Sequence, residues 1–326
     1  MALNQSKAFS LRDIPSLDGR VAIVTGGSDG IGYATTLQLV LHGARVYIVA
    51  RSSEKATQAI ANMRQSAPEK SLDIHFLQAD LQSLASVMQV AKRFNEKESN
   101  LDILINNAGI MAAPYGLTED GYETQWQTNY LSPFLLTKSL LPTMTSTARK
   151  NGPARIINVV SDAAFVPITP DLDLENPNLD HLTGFMAPWK RYCHSKMAMV
   201  LLTHHLHTLV TRDDNAMNNI KTYAVHPGFV ETNLQALDPT LLGKIVKFSV
   251  RWGLVPGKVS REDGARTTLA CATSDEWPIL EGSGGFFRPF GQRDKQGDAL
   301  VEKGRESKME ERLWDASEQM LKDKGF

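Results

Sequence analysis

The chain reads as an α/β protein, a doubly wound parallel sheet with helices on both faces. Three observations carry that expectation. Six short apolar runs recur, at Val21–Val24, Arg45–Ala50, Ile74–Leu77, Leu101–Ile105, Arg155–Val160 and Thr222–Val225. Longer segments with helical spacing separate them. A glycine-rich turn, Thr25-Gly26-Gly27-Ser28-Asp29-Gly30-Ile31-Gly32, follows directly on the first run.

Each run is short, rich in Val and Ile, and apolar on both faces. That is how a strand buried between two helix layers reads. The intervening spacing predicts helices over Ile31–His42, Ser53–Arg64, Ser83–Asn95, Tyr122–Met144 and Tyr192–Val210. Strands alternating with helices of this length make a parallel sheet. In such sheets ligands sit beyond the carboxyl ends of the strands. Further on, Ser260-Arg261-Glu262-Asp263 predicts a helix N-cap, and a last helix is predicted over Met309–Leu321.

Two segments interrupt the alternation. Residues 162–191 carry Pro167, Pro170, Pro177 and Pro188 together with Phe165, Phe185, Met186 and Trp189. Residues 233–259 carry Leu234, Leu237, Leu241, Leu242, Ile245, Val246, Phe248 and Trp252 at helical spacing. Long insertions at a ligand edge are often lids. The second segment is either a helix packed on its own domain or, the preferred expectation, a cover over the substrate. The chain is thus expected to form a single domain over 1–326. Residues 162–191 and 233–259 are its substrate-side insertions, and 307–326 a C-terminal helical extension.

Composition is ordinary for a globular protein, with 42% hydrophobic and 22% charged residues and a formal net charge of -1. No run of five like charges occurs, which argues against nucleic acid or an anionic membrane surface as the main partner. Two cysteines, Cys193 and Cys271, make neither a disulfide framework nor a zinc site, and a reducing compartment fits. Neither a signal peptide nor a transmembrane anchor is read, so the expected location is cytoplasmic. His204, His205 and His207 crowd one predicted helix without a metal-ligand set, and are expected on a solvated face.

The glycine-rich turn joins a strand to a helix. Glycines there allow a tight turn and let backbone N–H groups reach a pyrophosphate at the helix N-terminus. A carboxylate ending the second strand would bind a ribose 2′-hydroxyl. None is present; Arg51, Ser52 and Ser53 stand there instead. An arginine fork and hydroxyls suit a 2′-phosphate, which points to NADP (NADPH). Asp29, inside the turn, pulls the other way. Asp80, ending the third strand, could bond an adenine amino group or simply cap a helix. Asn106-Asn107-Ala108-Gly109, ending the fourth, can pin neighbouring backbone and let a ribose approach closely.

The remaining signal is Tyr192-Cys193-His194-Ser195-Lys196. A tyrosine and a lysine one turn apart are usually just neighbours. Here they share a chain with a phosphate-binding turn. A free tyrosine has a pKa of about 10. A neighbouring cation favours the phenolate by roughly 1–3 units.

In this order, Thr25-Gly26-x-x-x-Gly30-Ile31-Gly32, Asn106-Asn107-Ala108-Gly109, Asn129, Ser161, Tyr192-x-x-x-Lys196 and His226-Pro227-Gly228 resemble the short-chain dehydrogenase/reductase family, over about residues 18–290. The strings around Asn129 and Tyr192, and the long Ser161–Tyr192 spacing, look most like its retinol dehydrogenase and WW-domain oxidoreductase branch. The resemblance implies a Rossmann fold and a catalytic set of Asn129, Ser161, Tyr192 and Lys196. Tyr192 would be the acid in reduction and the base in oxidation. Lys196 would supply charge and hold the nicotinamide ribose. Ser161 would bond the substrate oxygen, and Asn129 would hold a water linking Lys196 to solvent. Gly26, Ser28, Asp29, Gly30, Ile31, Arg51, Asp80, Leu81, Asn107, Ala108, Gly109, Tyr192, Lys196, Pro227, Gly228 and Thr232 would line the cofactor. The implied activity is NADP-dependent interconversion of a carbonyl and a secondary or primary alcohol on a bulky lipophilic small molecule, in secondary metabolism. The family dimerises through the helices at 122–144 and 192–210, so a homodimer is compatible. Two alternatives stay open: an NADP-binding regulator or scaffold, and a lyase, isomerase or cyclase using the same pocket.

Overall fold

The structure is a computed structural model that describes residues 9–165, 172–212, 219–230, 258–275, 282–289 and 292–326. Strand β1 (Val21–Thr25) leads through the glycine-rich turn into α1 (Gly30–Leu41). The alternation continues with β2 (Arg45–Ala50), α2 (Ser53–Ser66), β3 (Ile74–Gln78), α3 (Leu84–Lys97) and β4 (Ile103–Asn106). Then come a short α4 (Thr124–Trp126), α5 (Ser132–Asn151), β5 (Ala154–Val159), α6 (Ala187–Arg212) and β6 (Ile220–Val225). A small pair, β7 (Phe229–Val230) and β8 (Lys258–Val259), precedes α7 (Arg261–Thr273). The chain closes with β9 (Phe286–Arg288), β10 (Gln292–Arg293), α8 (Lys295–Glu306) and α9 (Met309–Asp323).

The main sheet runs β10-β9-β6-β5-β4-β1-β2-β3, parallel throughout except for β10 at its edge. The order reverses between β1 and β4, which makes a crevice at their carboxyl ends. Alternate residues of β1 feed two cores. Val21 and Ile23 pack with Phe94, Trp126, Tyr130, Phe134 and Leu201 on one face. Ala22 and Val24 pack with Leu39, Met63 and Leu269 on the other. The six predicted strands and the doubly wound class are therefore as the periodicity implied. Strands β9 and β10 were not legible, because three and two residues carry no period, and helix α8 was not expected.

Two helices differ most from expectation. The predicted helix over Tyr122–Met144 is broken up. Leu117 bridges to Glu123, α4 follows, and a π-helical stretch at Gln127–Leu131 leads into α5. Helix α6 starts five residues early, because Pro188 is its second residue, where a missing N–H costs nothing. The first insertion therefore ends at residue 186. Of the second insertion, 233–257 lie outside the described residues. Its two ends are held together by the parallel β7–β8 pairing, Phe229 opposite Lys258 and Val230 opposite Val259.

The C-terminal extension docks on α5 and α6. Trp314 stands edge-on to Phe134, with ring centroids 4.9 Å apart, and beside His205 at 5.1 Å. Tyr130 Oη and Ser317 Oγ share a 2.6 Å hydrogen bond. His204 Nδ1 lies 2.8 Å from Glu310 Oε2, and Lys138 pairs with Glu318. This corrects the expectation of a solvated histidine face: His204 and His205 are buried. A helix arriving from a hundred residues away covers them, and local spacing cannot reveal that. The same contacts occupy part of the two helix faces considered for a homodimer.

Candidate active site

The glycine-rich turn is built by close packing. A Cβ on Gly32 would land on the Gly26 carbonyl, and one on Gly26 would sit 3.1 Å from Ala108 Cα. So β1, the start of α1 and the end of β4 touch through backbone. Thr25 fastens that contact. Its Oγ1 accepts from the N–H groups of Asn107 and Ala108, at 2.9 and 3.0 Å, and Asn107 Nδ2 donates to its carbonyl at 2.9 Å. Asn107 and Ala108 thus lie against the turn, as expected. Gly30 has φ +54, and Asp29 caps α1 by accepting from Gly30 N–H at 2.7 Å. The first-turn N–H groups of a helix have no partner within it. A side-chain-free cradle beside such a terminus fits a dinucleotide pyrophosphate.

The other predicted cofactor residues divide. Arg51 is exposed at the end of β2. Ser52, counted with it as a phosphate hydroxyl, is instead the N-cap of α2 and donates to the Glu54 carboxylate at 2.9 Å. Asp80 Oδ1 accepts from Gln82 N–H at 2.9 Å, shaping the turn after β3. The Leu81 carbonyl accepts from Ser132 Oγ. Ile31 and the Pro227 carbonyl lie about Gly264 of α7, so this helix packs against both the glycine-rich turn and the loop after β6. Gly228 is covered by Val259 and Pro289. Thr232 lies outside the described residues.

The predicted catalytic set converges. Tyr192 and Lys196 sit on α6, each 5% exposed, with Lys196 Nζ 5.8 Å from the Tyr192 ring centroid. The Ser161 side chain, just past β5, lies close enough to the Tyr192 hydroxyl to lower its pKa. Lys196 Nζ donates to the Val159 carbonyl at 3.0 Å. A Cβ on Gly109 would come within 3.1 Å of Asn129 Oδ1 and 3.4 Å of Lys196 Nζ, so a side chain there would crowd the lysine. Asn129 sits in the π-helical stretch, a feature common at functional sites. Its amide is fully engaged. Oδ1 accepts from Ile110 N–H at 2.8 Å, and Nδ2 donates to the Ile110 carbonyl at 2.9 Å and to Ser195 Oγ at 3.0 Å. The side chain thus pins the backbone of Ile110 and the Ser195 hydroxyl.

Electrostatics depart from expectation as well. Burial pushes the Tyr192 phenol up to about 12, opposed by the Ser161 side chain. Burial brings the Lys196 ammonium down to about 8. Loss of water is the largest cause of both shifts, and the raised phenol keeps its proton at neutral pH.

A second layer was not legible from the sequence. Asp162 Oδ2 meets Arg288 Nη1 at 3.0 Å and His226 Nε2 at 3.5 Å, tying together the loops after β5, β6 and β9. Burial lowers the His226 pKa, with Asp162 opposing. Cys193 is simply packed. No group of metal ligands is present among the described residues.

Fold and constellation together define the class: an oxidoreductase on a Rossmann fold. The short chain dehydrogenase family model matches residues 20–170. A short-chain dehydrogenase/reductase of Aspergillus calidoustus, drtF, is 40% identical over 95% of this chain and 96% of its own. Human retinol dehydrogenase 12 is 35% identical over 94% and 87%. Among solved structures, a Mycobacterium paratuberculosis protein superposes with a TM-score of 0.70 at 29% identity, covering 97% and 98% of the two chains. The Pseudomonas aeruginosa RhlG/NADP complex does so with a TM-score of 0.63 at 26% identity, covering 84% and 95%. The chain belongs to the short-chain dehydrogenase/reductase family, in the branch of the retinol dehydrogenases.

Proposed function

We propose that the chain is an NADP-dependent reductase that converts a carbonyl on a bulky lipophilic small molecule to the alcohol, in secondary metabolism. The observation that carries it is the contact of Ser161 with Tyr192, one helical turn from Lys196 and beside the glycine cradle. When bound, the nicotinamide supplies the hydride. Ser161 orients the carbonyl oxygen and steadies its developing charge. Tyr192 Oη donates the proton, for which a phenol that stays protonated at neutral pH is well suited. Lys196 stands ready to hold the ribose and to restore the tyrosine's proton. Cys193 and Cys271 are buried and form no disulfide, which suits a reducing compartment, the cytoplasm.

Preference for NADP rests on exposed Arg51 at the end of β2, and is in keeping with the NADP complex of the RhlG relative. Losing a charge-assisted phosphate contact costs about 1.5–3 kcal/mol. Arg51→Ala should therefore lower kcat/KM for NADPH roughly ten- to a hundredfold and leave NADH little changed. Equal use of both cofactors by the wild type, or no response to the substitution, would overturn the assignment.

A further inference from the structure

The segment 172–186 leads from the loop after β5 into α6. Its fastenings converge on the residues around Tyr192. Arg191 is 4% exposed, and its Nη2 donates to the carbonyls of Leu179 and Leu182 at 2.9 and 2.7 Å. Its guanidinium lies 4.5 Å above the Tyr115 ring. One guanidinium nitrogen thus grips two carbonyls of one turn while the flat face of the group rests on an aromatic ring, a stacking that a lysine cannot reproduce. Leu179 has φ +47, a left-handed state that a leucine keeps only where its surroundings over-determine it.

Two more ties point the same way. His194 Nε2 accepts from Asp173 N–H at 3.2 Å, while its ring packs on Trp126 with centroids 4.6 Å apart. Asn178 Oδ1 accepts from Glu123 N–H at 2.7 Å, and its Nδ2 donates to the Gly121 carbonyl at 3.1 Å. The segment ends in Phe185 and Met186, which are 50% and 37% exposed. Trp189 follows, edge-on to Tyr192 with centroids 6.3 Å apart.

We propose that Arg191 and His194 are positioning residues that fix 172–186 and so set Phe185, Met186 and Trp189 as an apolar wall leading to Tyr192, and that this wall selects long or bulky apolar carbonyl substrates. The proposal rests on the reductase function put forward above. A wall ordered in advance costs no ordering entropy when substrate binds. Its loss should therefore appear in KM for substrates large enough to touch it, and not in the chemical step.

The test compares the full-length wild type with Arg191→Met, Arg191→Lys and His194→Phe. The probes are n-decanal and n-butanal with NADPH, together with amide hydrogen exchange over 172–186. The expected result for Arg191→Met is faster exchange in this segment and a KM for n-decanal raised about tenfold. The kcat for both aldehydes and the KM for n-butanal should move less than threefold. Arg191→Lys should fall between, and it carries the test should Arg191→Met fail to fold. His194→Phe keeps the contact with Trp126 and should loosen the segment around Asp173. Unchanged exchange with unchanged KM overturns the proposal while leaving the reductase function standing. So does an equal loss of kcat on both aldehydes, which would mean that Arg191 acts on Tyr192 itself. A wild type that reduces neither aldehyde overturns the reductase assignment, and this proposal with it.

Discussion

Asn129 Nδ2 donates a 3.0 Å hydrogen bond to Ser195 Oγ, a residue 66 positions away on the turn between Tyr192 and Lys196. Ser195 Oγ in turn donates to the Tyr192 carbonyl at 2.7 Å. The π-helical stretch and the tyrosine–lysine turn are thereby held in register, with Ile110 pinned by the same amide.

Asn129→Ala removes all three bonds of that amide and leaves the Ile110 N–H and the Ser195 hydroxyl to find new partners. A buried polar group left unpaired costs about 1–3 kcal/mol. Urea unfolding should show a loss of that size, with kcat reduced as well. Ser195→Ala removes two bonds, one from Asn129 Nδ2 and one to the Tyr192 carbonyl, so it should cost about 1–3 kcal/mol and lower kcat several-fold. An Asn129→Ala protein as stable and active as the wild type would dissolve this link.

Tyr192→Phe keeps the ring and deletes only the hydroxyl. Folding and NADPH binding should survive, and kcat should fall by at least about 10²-fold. Ser161→Ala should do the same through loss of the substrate contact. Lys196→Met should lose activity and weaken NADPH binding, because it is given two roles. Near-normal turnover by Tyr192→Phe would mean that another acid serves.

Two buried groups near Tyr192 give opposite pH slopes of stability. Burial lowers His194 from 6.5 to about 4, so the folded state keeps it neutral. Its contribution is complete above pH 6.5 and is lost as pH falls from 6.5 toward 4. Burial raises Glu123 from 4.5 to about 7, against hydrogen bonds from the Trp126 and Gln125 N–H groups and the charge of Arg191. Its contribution is complete below pH 4.5 and is lost as pH rises from 4.5 toward 7. Each is worth on the order of 3 kcal/mol at most. Stability of Glu123→Gln relative to wild type should climb between pH 4.5 and 7. For His194→Phe the relative stability should climb as pH falls from 6.5 to 4. Parallel curves for wild type and variants across both windows would refute the assignments.

Leu313 of α9 is 1% exposed and belongs to the core shared with α5 and α6. Leu313→Ala should cost about 2–5 kcal/mol, read as a lower urea midpoint. NADPH affinity should not change, since the helix lies away from the glycine cradle. A neutral result would mean that the extension is not part of the folding unit.

Much of the architecture was present in local pattern. Most of the buried strands are short runs rich in Val and Ile, and the cradle is a glycine-rich turn between a strand and a helix. Tyr192 and Lys196 meet because they are one turn apart on the same helix, so five residues suffice to announce the pair. The family resemblance added Asn129 and Ser161, whose roles no periodicity states.

What tertiary structure alone decided are contacts between distant residues and the loss of water around them. The sequence places three histidines on one helix, but only the docking of Glu310 and Trp314 buries His204 and His205. It places a lysine beside a tyrosine, but burial determines that the phenol rises to about 12 and the lysine falls to about 8. Ser52 reads as a phosphate ligand until α2 takes its hydroxyl as a cap. Nothing in the sequence singles out Arg191, whose grip on the Leu179 and Leu182 carbonyls exists only once the fold brings that turn to it. Short-range order follows from side-chain period and backbone sterics, which a sequence displays. Desolvation and long-range pairing depend on which surfaces meet, and those exist only once the chain has closed.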